Sequence, residues 1–201
     1  MTKIKFCGLS RPCDMAAANA LHPDYIGFVF APKSQRAVSF TKAAELKSML
    51  SSSIQAVGVF VDEAPNTVAD LLERNIIDLA QLHGNEDAAY LKNLRLLTAK
   101  PIIQAFRIMS QKDILCAQES RADYILLDSG AGSGQTFDWT LLENINRPYF
   151  LAGGLGIDNI GAAMKRLNPY AVDVSSGIET DGVKDKSKMA TFAALVRAGG
   201  Y

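Results

Sequence analysis

The sequence predicts an α/β fold, a single-domain (β/α)₈ barrel (TIM barrel) over residues 1–201. Two observations support this prediction: the length of the chain and the alternation of short apolar runs with longer helix-like stretches. The 201 residues amount to about one domain of ordinary size. Eight alternating units of about 25 residues each fit such a barrel, although about 250 residues in total is more typical.

Eight short apolar runs are predicted to form the strands. Their nearly continuous content of β-branched, aliphatic and aromatic residues is typical of parallel strands that are covered on both faces. In chain order the predicted strands are Ile4–Cys7, Tyr25–Phe30, Ala56–Val61, Asp78–Leu82, Pro101–Phe106, Tyr124–Leu127, Tyr149–Ala152 and Ala171–Val174.

The stretches between these runs are predicted to be helices. Leu91 and Leu94 share one helix face, and start signals precede two of the stretches: Ser39 or Thr41 before the second and Asp158 before the seventh. The predicted helices are Asp14–Leu21, Lys42–Leu50, Asn66–Arg74, Glu86–Leu94, Gln111–Glu119, Trp139–Ile145, Asn159–Leu167 and Lys188–Arg197. An open doubly wound sheet is the structural alternative, but the glycine fingerprint that usually follows its first strand is not found.

The composition restricts the classes of partner and compartment. Lys and Arg total 21, as do Asp and Glu, so the formal net charge is zero; no nucleic-acid partner is expected, and any anion site must be local. Three cysteines without a CxxC pair indicate neither disulfides nor zinc and favour the cytoplasm. No apolar run approaches about 18 residues, so no membrane span is expected.

Polar and glycine residues collect where the runs end, and in a barrel of this type these ends form the catalytic face. Two loops there suit a phosphate: Gly153-Gly154 after the seventh run and Ser175-Ser176-Gly177 after the eighth. Such barrels often bind phosphate at this position on backbone amides, which glycine leaves open to close approach. The loops could instead be tight turns, but their position after the seventh and eighth runs favours a site for a small phosphorylated molecule.

Cys7 lies on one face of the first run together with Lys5, because alternate residues of a strand point the same way. A buried Lys5 ammonium needs a partner, and Asp173 on the neighbouring closing strand is a plausible one. The ammonium would increase the thiolate fraction of Cys7. From periodicity alone, however, a buried and inert cysteine is favoured, and Cys13 and Cys116 are also assigned to that class.

Other polar residues at the strand ends have two interpretations. Asp128 is either a helix cap or a site group whose apolar walls would favour the protonated form. Arg36 could bind a carboxylate or phosphate with its planar fork, although a solvated loop arginine is commoner. Gln81 and His83 end the fourth run, and for His83 a hydrogen-bonded barrel histidine is favoured over an acid or base. No cluster has metal-ligand spacing, so no metal is predicted.

Eight short motifs are spread from the first predicted strand to the last. They are Lys5–Leu9 (KFCGL), Gly27–Arg36 (GFVFAPKSQR), Gly58–Val61 (GVFV), Gln81–Gly84 (QLHG), Leu127–Ser129 (LDS), Thr136–Trp139 (TFDW), Leu151–Leu155 (LAGGL) and Val172–Glu179 (VDVSSGIE). Together they cover essentially the whole chain and resemble the phosphoribosylanthranilate isomerase family. Gln35 departs from its common pattern, which has proline there, and Phe6 stands where Ile or Val is usual.

This resemblance implies an Amadori rearrangement in tryptophan biosynthesis that needs no cofactor. N-(5′-phosphoribosyl)anthranilate would become 1-(2-carboxyphenylamino)-1-deoxyribulose 5-phosphate, with Cys7 as general base and Asp128 as general acid. Arg36 would hold the anthranilate end and the two loops the phosphate. Gln81, His83 and Asp173 are expected to complete the substrate-binding set.

The assembly expected for such an enzyme is a monomer or a homodimer. Two alternative functions stay open at this stage. One is another phosphosugar barrel enzyme, such as a metal-dependent epimerase or indole-glycerol-phosphate synthase. The other is a non-catalytic barrel that binds an anionic metabolite, against which the joint presence of Cys7 and Asp128 counts.

Overall fold

The protein is described by a computed structural model over residues 1–128, 138–142 and 145–199. Eight parallel strands close into one barrel in chain order, with the first strand paired to the eighth. They are β1 (Lys3–Cys7), β2 (Tyr25–Val29), β3 (Gln55–Phe60), β4 (Leu79–Leu82), β5 (Ile102–Arg107), β6 (Tyr124–Asp128), β7 (Tyr149–Leu151) and β8 (Ala171–Val174). The predicted (β/α)₈ barrel is therefore confirmed, and the open sheet is excluded.

Helices follow the strands on the outside of the barrel. They are α1 (Pro12–Leu21), α2 (Phe40–Ser48), α3 (Pro65–Glu73), α4 (Ala88–Leu97), α5 (Gln111–Glu119), α6 (Ile160–Arg166) and α7 (Lys186–Gly199). The predicted helix Trp139–Ile145 is a short 3₁₀ helix over Trp139–Leu142. Residues 143 and 144, and the motif residues Ser129, Thr136 and Phe137, lie outside the described residues.

Two helix starts show how side chains complete the backbone hydrogen bonds. Ser39 caps α2, because its Oγ accepts a hydrogen bond from the Lys42 amide at 3.1 Å. The prediction for Asp158 is wrong, since Asn159 occupies the cap position of α6. The Asn159 side chain can both accept and donate, and it ties together the loop that precedes α6: it accepts from the Gly156 amide at 2.9 Å and donates to the Gly154 carbonyl at 2.8 Å.

The apolar core has two parts, one between the helices and the barrel and one inside the barrel. The inner part consists of alternate strand residues that point to the barrel axis: Tyr25, Val57, Leu79, Ile103, Leu126, Phe150, Ala152 and Ala171. Because the same alternation continues along each strand, the inward positions nearer the carboxyl ends carry Cys7, Gln81, Asp128 and Asp173 as well as apolar residues such as Val59. None of the helices in the described ranges has the length and apolar character that a membrane span requires.

A two-stranded antiparallel hairpin lies between β8 and α7, where no secondary structure is predicted. It is formed by β9 (Glu179–Thr180) and β10 (Val183–Lys184). Its turn residues Asp181 and Gly182 have φ values of 52° and 76°, the left-handed conformation that tight hairpin turns favour. Strands of two residues show no periodicity, so the apolar pattern does not reveal them.

Phe150→Ala should destabilise the fold by about 3–5 kcal/mol, the usual cost of emptying a buried phenylalanine site. The ring is fully buried, and its centroid lies 5.5, 5.7 and 5.6 Å from those of Tyr25, Tyr124 and Tyr170. Urea unfolding followed by circular dichroism measures the loss. Leu115→Ala is the matched control, since Leu115 is 55% exposed. Equal losses in both variants would contradict the role of the inner cluster.

Candidate active site

One cavity of about 370 Å³ opens at the carboxyl ends of the strands. Ten of the eleven predicted site residues line it: Cys7, Arg36, Gln81, His83, Asp128, Gly153, Gly154, Asp173, Ser175 and Ser176. The eleventh, Gly177, lies in an adjoining hollow together with Gly154 and Ser176. Apolar side chains such as Val29, Val59 and Leu155 form much of the remaining wall.

A buried ion pair lies at the base of this cavity. Lys5 Nζ donates to Asp173 Oδ2 at 2.8 Å, and the Lys5 side chain is fully buried. The two residues are register partners on β1 and β8, as the sequence predicts. A Cβ placed on Gly27 would lie 2.8 Å from Cys7 Sγ and 3.3 Å from Lys5 Nζ, so the glycine of β2 leaves the space that brings these two groups together.

The surroundings fix the charges of this group. Burial alone would lower the pKa of Lys5, but the charge of Asp173 and its hydrogen bond hold that pKa above its ordinary value, so Lys5 stays an ammonium ion. Burial raises the pKa of the Cys7 thiol, and the Lys5 ammonium offsets only part of that rise. The resting site therefore holds a protonated thiol at neutral pH, beside a cation that would stabilise its thiolate.

A chain of contacts leads from β4 to Asp128. Gln81 Nε2 donates to His83 Nδ1 at 2.9 Å, which places the proton of the neutral imidazole on Nε2. His83 Nε2 lies 3.4 Å from Asp128 Oδ2. Sequence reasoning favours a hydrogen-bonded barrel histidine at position 83, and this geometry agrees with that interpretation while placing the ring on the cavity wall.

Two buried acceptor atoms in the cavity wall are left without a hydrogen bond in the described part of the chain. They are Gln81 Oε1 and Asp173 Oδ1. Buried polar atoms are nearly always satisfied in folded proteins, so these two orphans leave unused hydrogen-bonding capacity directly beneath the surface of the cavity.

The two glycine and serine loops meet at the other side of the cavity. Gly153 and Gly154 have φ values of 85° and 63°, and Gly156 pairs with Gly177 across the loops. A Cβ on Gly177 would collide with the Leu155 carbonyl oxygen. Within the described ranges, the amides of Gly154 and Ser176 donate to no acceptor. Open amides on a close-approach backbone suit an anion.

Arg36 is held by Glu179, which is in turn held by Lys184; sequence reasoning does not single out either residue as a site residue. Its Nε and Nη2 donate to Glu179 Oε1 and Oε2, each at 2.7 Å. Lys184 Nζ lies 2.5 Å from Glu179 Oε1. The hairpin between β8 and α7 supplies both residues. A signal for them exists in the Asp181-Gly182 pair, which is typical of a hairpin turn.

The described residues contain no group of three His, Cys, Asp or Glu side chains arranged as metal ligands. The groups in the cavity wall that suit an anion are open amides and Arg36. A closed barrel with a carboxyl group, a thiol and these elements around one mouth defines the class of the protein as a (β/α)₈-barrel enzyme.

Comparisons with known proteins place the chain within this class. The family model for N-(5′-phosphoribosyl)anthranilate isomerase matches residues 4–194. The isomerase of Endomicrobium trichonymphae is 44% identical, covering 98% of this chain and 100% of that protein. The crystal structure of the isomerase from Thermotoga maritima has a TM-score of 0.91 at 32% identity, covering 98% of this chain and 100% of that one.

A second solved isomerase was crystallised with reduced 1-(o-carboxyphenylamino)-1-deoxyribulose 5-phosphate. It has a TM-score of 0.88 at 32% identity and covers 98% of this chain and 100% of its own. The chain belongs to the N-(5′-phosphoribosyl)anthranilate isomerase family. The predicted enzyme class, an aldose–ketose isomerase of tryptophan biosynthesis, is confirmed, which decides against the epimerase, the synthase and the non-catalytic barrel.

Alkylation of Cys7 by iodoacetamide should follow a pH midpoint above the ordinary thiol value of about 8.5, because burial raises the pKa of its thiol. The double variant Lys5→Met/Asp173→Asn should move the midpoint higher still. It removes both charges of the pair, and the lowering by Lys5 outweighs the raising by Asp173. An unchanged or lower midpoint would show that Lys5 does not act on the thiol.

The measurement uses a background with Cys13→Ser and Cys116→Ser, since both of these cysteines are exposed. Mass spectrometry then reports Cys7 alone. The double variant is preferred to Lys5→Met because loss of one partner leaves a buried charge, at a cost of about 3–5 kcal/mol.

Proposed function

We propose that this chain converts N-(5′-phosphoribosyl)anthranilate into 1-(2-carboxyphenylamino)-1-deoxyribulose 5-phosphate by general acid–base catalysis. The observation that supports the proposal is the single cavity that Cys7, Asp128 and the two glycine and serine loops share. A base, an acid and an anion site on one cavity can all reach one small substrate. Remote binding of both ends of that substrate would orient the carbon atoms that react.

Asp128 acts first, as the general acid. Its carboxyl proton passes to the furanose ring oxygen as the bond between C1 and that oxygen breaks. The electron pair of the anthranilate nitrogen forms the C1=N bond, which gives an open-chain iminium ion. The Nε2–H of His83, 3.4 Å from Asp128 Oδ2, then faces the carboxylate that the proton transfer leaves.

Cys7 acts second, as the general base. The iminium ion acidifies C2, and the thiolate removes the C2 proton while the electron pair of that bond forms the C1=C2 bond of an enolamine. The resting thiol is protonated and is not itself a base, so the active form is the minor thiolate fraction, whose proton has passed to solvent and which the Lys5 ammonium stabilises. The Asp128 carboxylate then takes the proton of the 2-hydroxyl group, and the Cys7 thiol gives its proton to C1. This yields the ketone and restores both groups, so the overall change is an isomerisation.

Binding of the substrate uses three parts of the cavity. The phosphate lies on the open amides of the loops at Gly153-Gly154 and Ser175–Gly177. The sugar lies between the two ends, over the part of the wall that Gln81 and Asp173 line. Arg36 binds the carboxylate of the anthranilate ring through its planar fork.

The substrate itself supplies the electron sink, because its nitrogen accepts and returns the electron pair. The reaction as written therefore uses only acid, base and binding groups of this chain. The expectation of a cofactor-free enzyme stays a prediction, as do a monomeric or homodimeric assembly and a cytoplasmic location.

Cys7→Ala and Asp128→Asn should each lower kcat by about 10²- to 10⁴-fold, the usual contribution of one positioned proton-transfer group. The assay follows the decay of substrate fluorescence with purified protein, and circular dichroism checks folding. Cys116→Ser is the matched control, since Cys116 lies exposed on α5. Turnover near the wild-type rate in either site variant would remove that residue from the mechanism.

Gly177→Ala should raise KM for the substrate with a smaller effect on kcat. The added Cβ meets the Leu155 carbonyl oxygen and must push apart the two loops that bind the phosphate. Steady-state kinetics and competition by inorganic phosphate measure the change. Gly161→Ala is the control, because nothing lies within 4 Å of a Cβ at that position. An unchanged KM in a folded Gly177 variant would contradict the placement of the phosphate.

A further inference from the structure

Glu179 forms a two-pronged contact with Arg36 at the rim of the cavity. The carboxylate accepts from Arg36 Nε and Nη2, each at 2.7 Å, and only 6% of the Glu179 side chain is exposed. This geometry is the parallel pair of charge-assisted hydrogen bonds that fixes the plane of a guanidinium. The contact joins the loop after β2 to the hairpin after β8.

Lys184 supports Glu179 from the second strand of the hairpin. Its Nζ lies 2.5 Å from Glu179 Oε1 and donates to the Ser175 carbonyl oxygen at 2.9 Å. Burial would raise the pKa of Glu179, but Arg36 and Lys184 hold it below its ordinary value. Glu179 is therefore a carboxylate in the resting protein, and it is not placed there to exchange protons.

The charges of this group do not cancel. Arg36 and Lys184 contribute two positive charges and Glu179 one negative charge, so one positive charge is left over. A guanidinium has five N–H donors, and Glu179 occupies the edge of Nε and Nη2. In the described part of the chain no acceptor meets Nη1, and Arg36 lines the cavity. The outer edge of the guanidinium is therefore available to one further carboxylate.

We propose that Glu179 is a positioning residue for the enzyme, which fixes the Arg36 guanidinium so that its outer edge binds the carboxylate of the substrate's aromatic ring. This inference rests on the proposed function, and it adds the residue that sets the preference for a carboxylated ring. Ordering a flexible arginine costs free energy on binding. The contact with Glu179 already orders the Arg36 side chain in the resting protein, so this loss of entropy does not oppose substrate binding.

The packing around Arg36 supports a fixed position. A Cβ on Gly8 would lie 2.5 Å from Arg36 Cδ, so the aliphatic stem lies directly on the backbone that follows β1. The stem and the Nε edge are both held, while the outer edge is left free. An inhibitory contact would instead occupy the edge that faces the substrate.

Glu179→Gln tests the proposal through two ligands that differ only in the carboxyl group. These are reduced product analogues that carry a 2-carboxyphenylamino or a phenylamino group, and calorimetry gives the Kd of each. The Kd of the phenylamino analogue divided by the Kd of the 2-carboxyphenylamino analogue measures the preference for the carboxyl group. The variant should lower this ratio by about tenfold, since the charged partner that orients the fork is lost. It should raise KM for the substrate and leave kcat within about twofold.

A double-mutant cycle separates positioning from general damage. In an Arg36→Met background, Glu179→Gln should cause no further loss of the preference, because no guanidinium is left to orient. Glu45→Gln is the matched control, since it breaks an exposed ion pair with Lys42 outside the cavity. A full additional loss in the Arg36→Met background, or an unchanged ratio in folded Glu179→Gln, would overturn the proposal.

Lys184→Met gives a second test that does not depend on the folding of Glu179→Gln. It removes the surplus positive charge and keeps the contact between Glu179 and Arg36, so the preference for the carboxyl group should fall; an unchanged preference would contradict the charge argument. Failure of the proposed function would look different. The wild type would then not turn over the substrate, and Arg36→Met alone would leave the preference unchanged.

Discussion

The buried ion pair between Lys5 and Asp173 is the interaction on which the site depends. The two residues face each other in register where β1 meets β8, so the pair forms only when the barrel closes. Loss of one partner from such a pair costs about 3–5 kcal/mol. Closure therefore fixes the charges beneath the cavity, and Cys7 lies two residues further along β1 on the same face. Folding and the state of the thiol are set by the same contact.

Further hydrogen bonds on the β8 side connect this part of the cavity to its rim. Ser175 Oγ donates to the Cys7 carbonyl oxygen at 3.1 Å, and Lys184 donates to the Ser175 carbonyl oxygen at 2.9 Å. Lys184 also holds Glu179, which holds Arg36. A continuous set of hydrogen bonds thus joins the proposed base to the proposed carboxylate site. One strand and its hairpin therefore fix the distance between Cys7, the proposed base, and Arg36, the proposed carboxylate site.

The architecture and the ion pair could be predicted because both follow from the strand pattern. Parallel strands leave continuous apolar runs, the two-residue period puts Lys5 and Cys7 on one face, and closure of the barrel puts the strand of Asp173 beside that of Lys5. The contact between Arg36 and Glu179 could not be predicted in this way, because it joins a loop to a hairpin whose strands are too short to show a period. The predicted helix start at Asp158 is one residue early, since Asn159 holds the cap position of α6.

A chain without net charge can hold a substrate with two anionic ends because the cations are placed locally. The ammonium of Lys5 is already balanced by Asp173, so it does not compete for the phosphate, which in the proposed binding mode lies on open amides. The surplus positive charge lies with Arg36 and Lys184, at the rim. Burial keeps most of the resting Cys7 thiol protonated. The minor thiolate form, which the proposed mechanism uses as the base, lies beside an ammonium that is already in place.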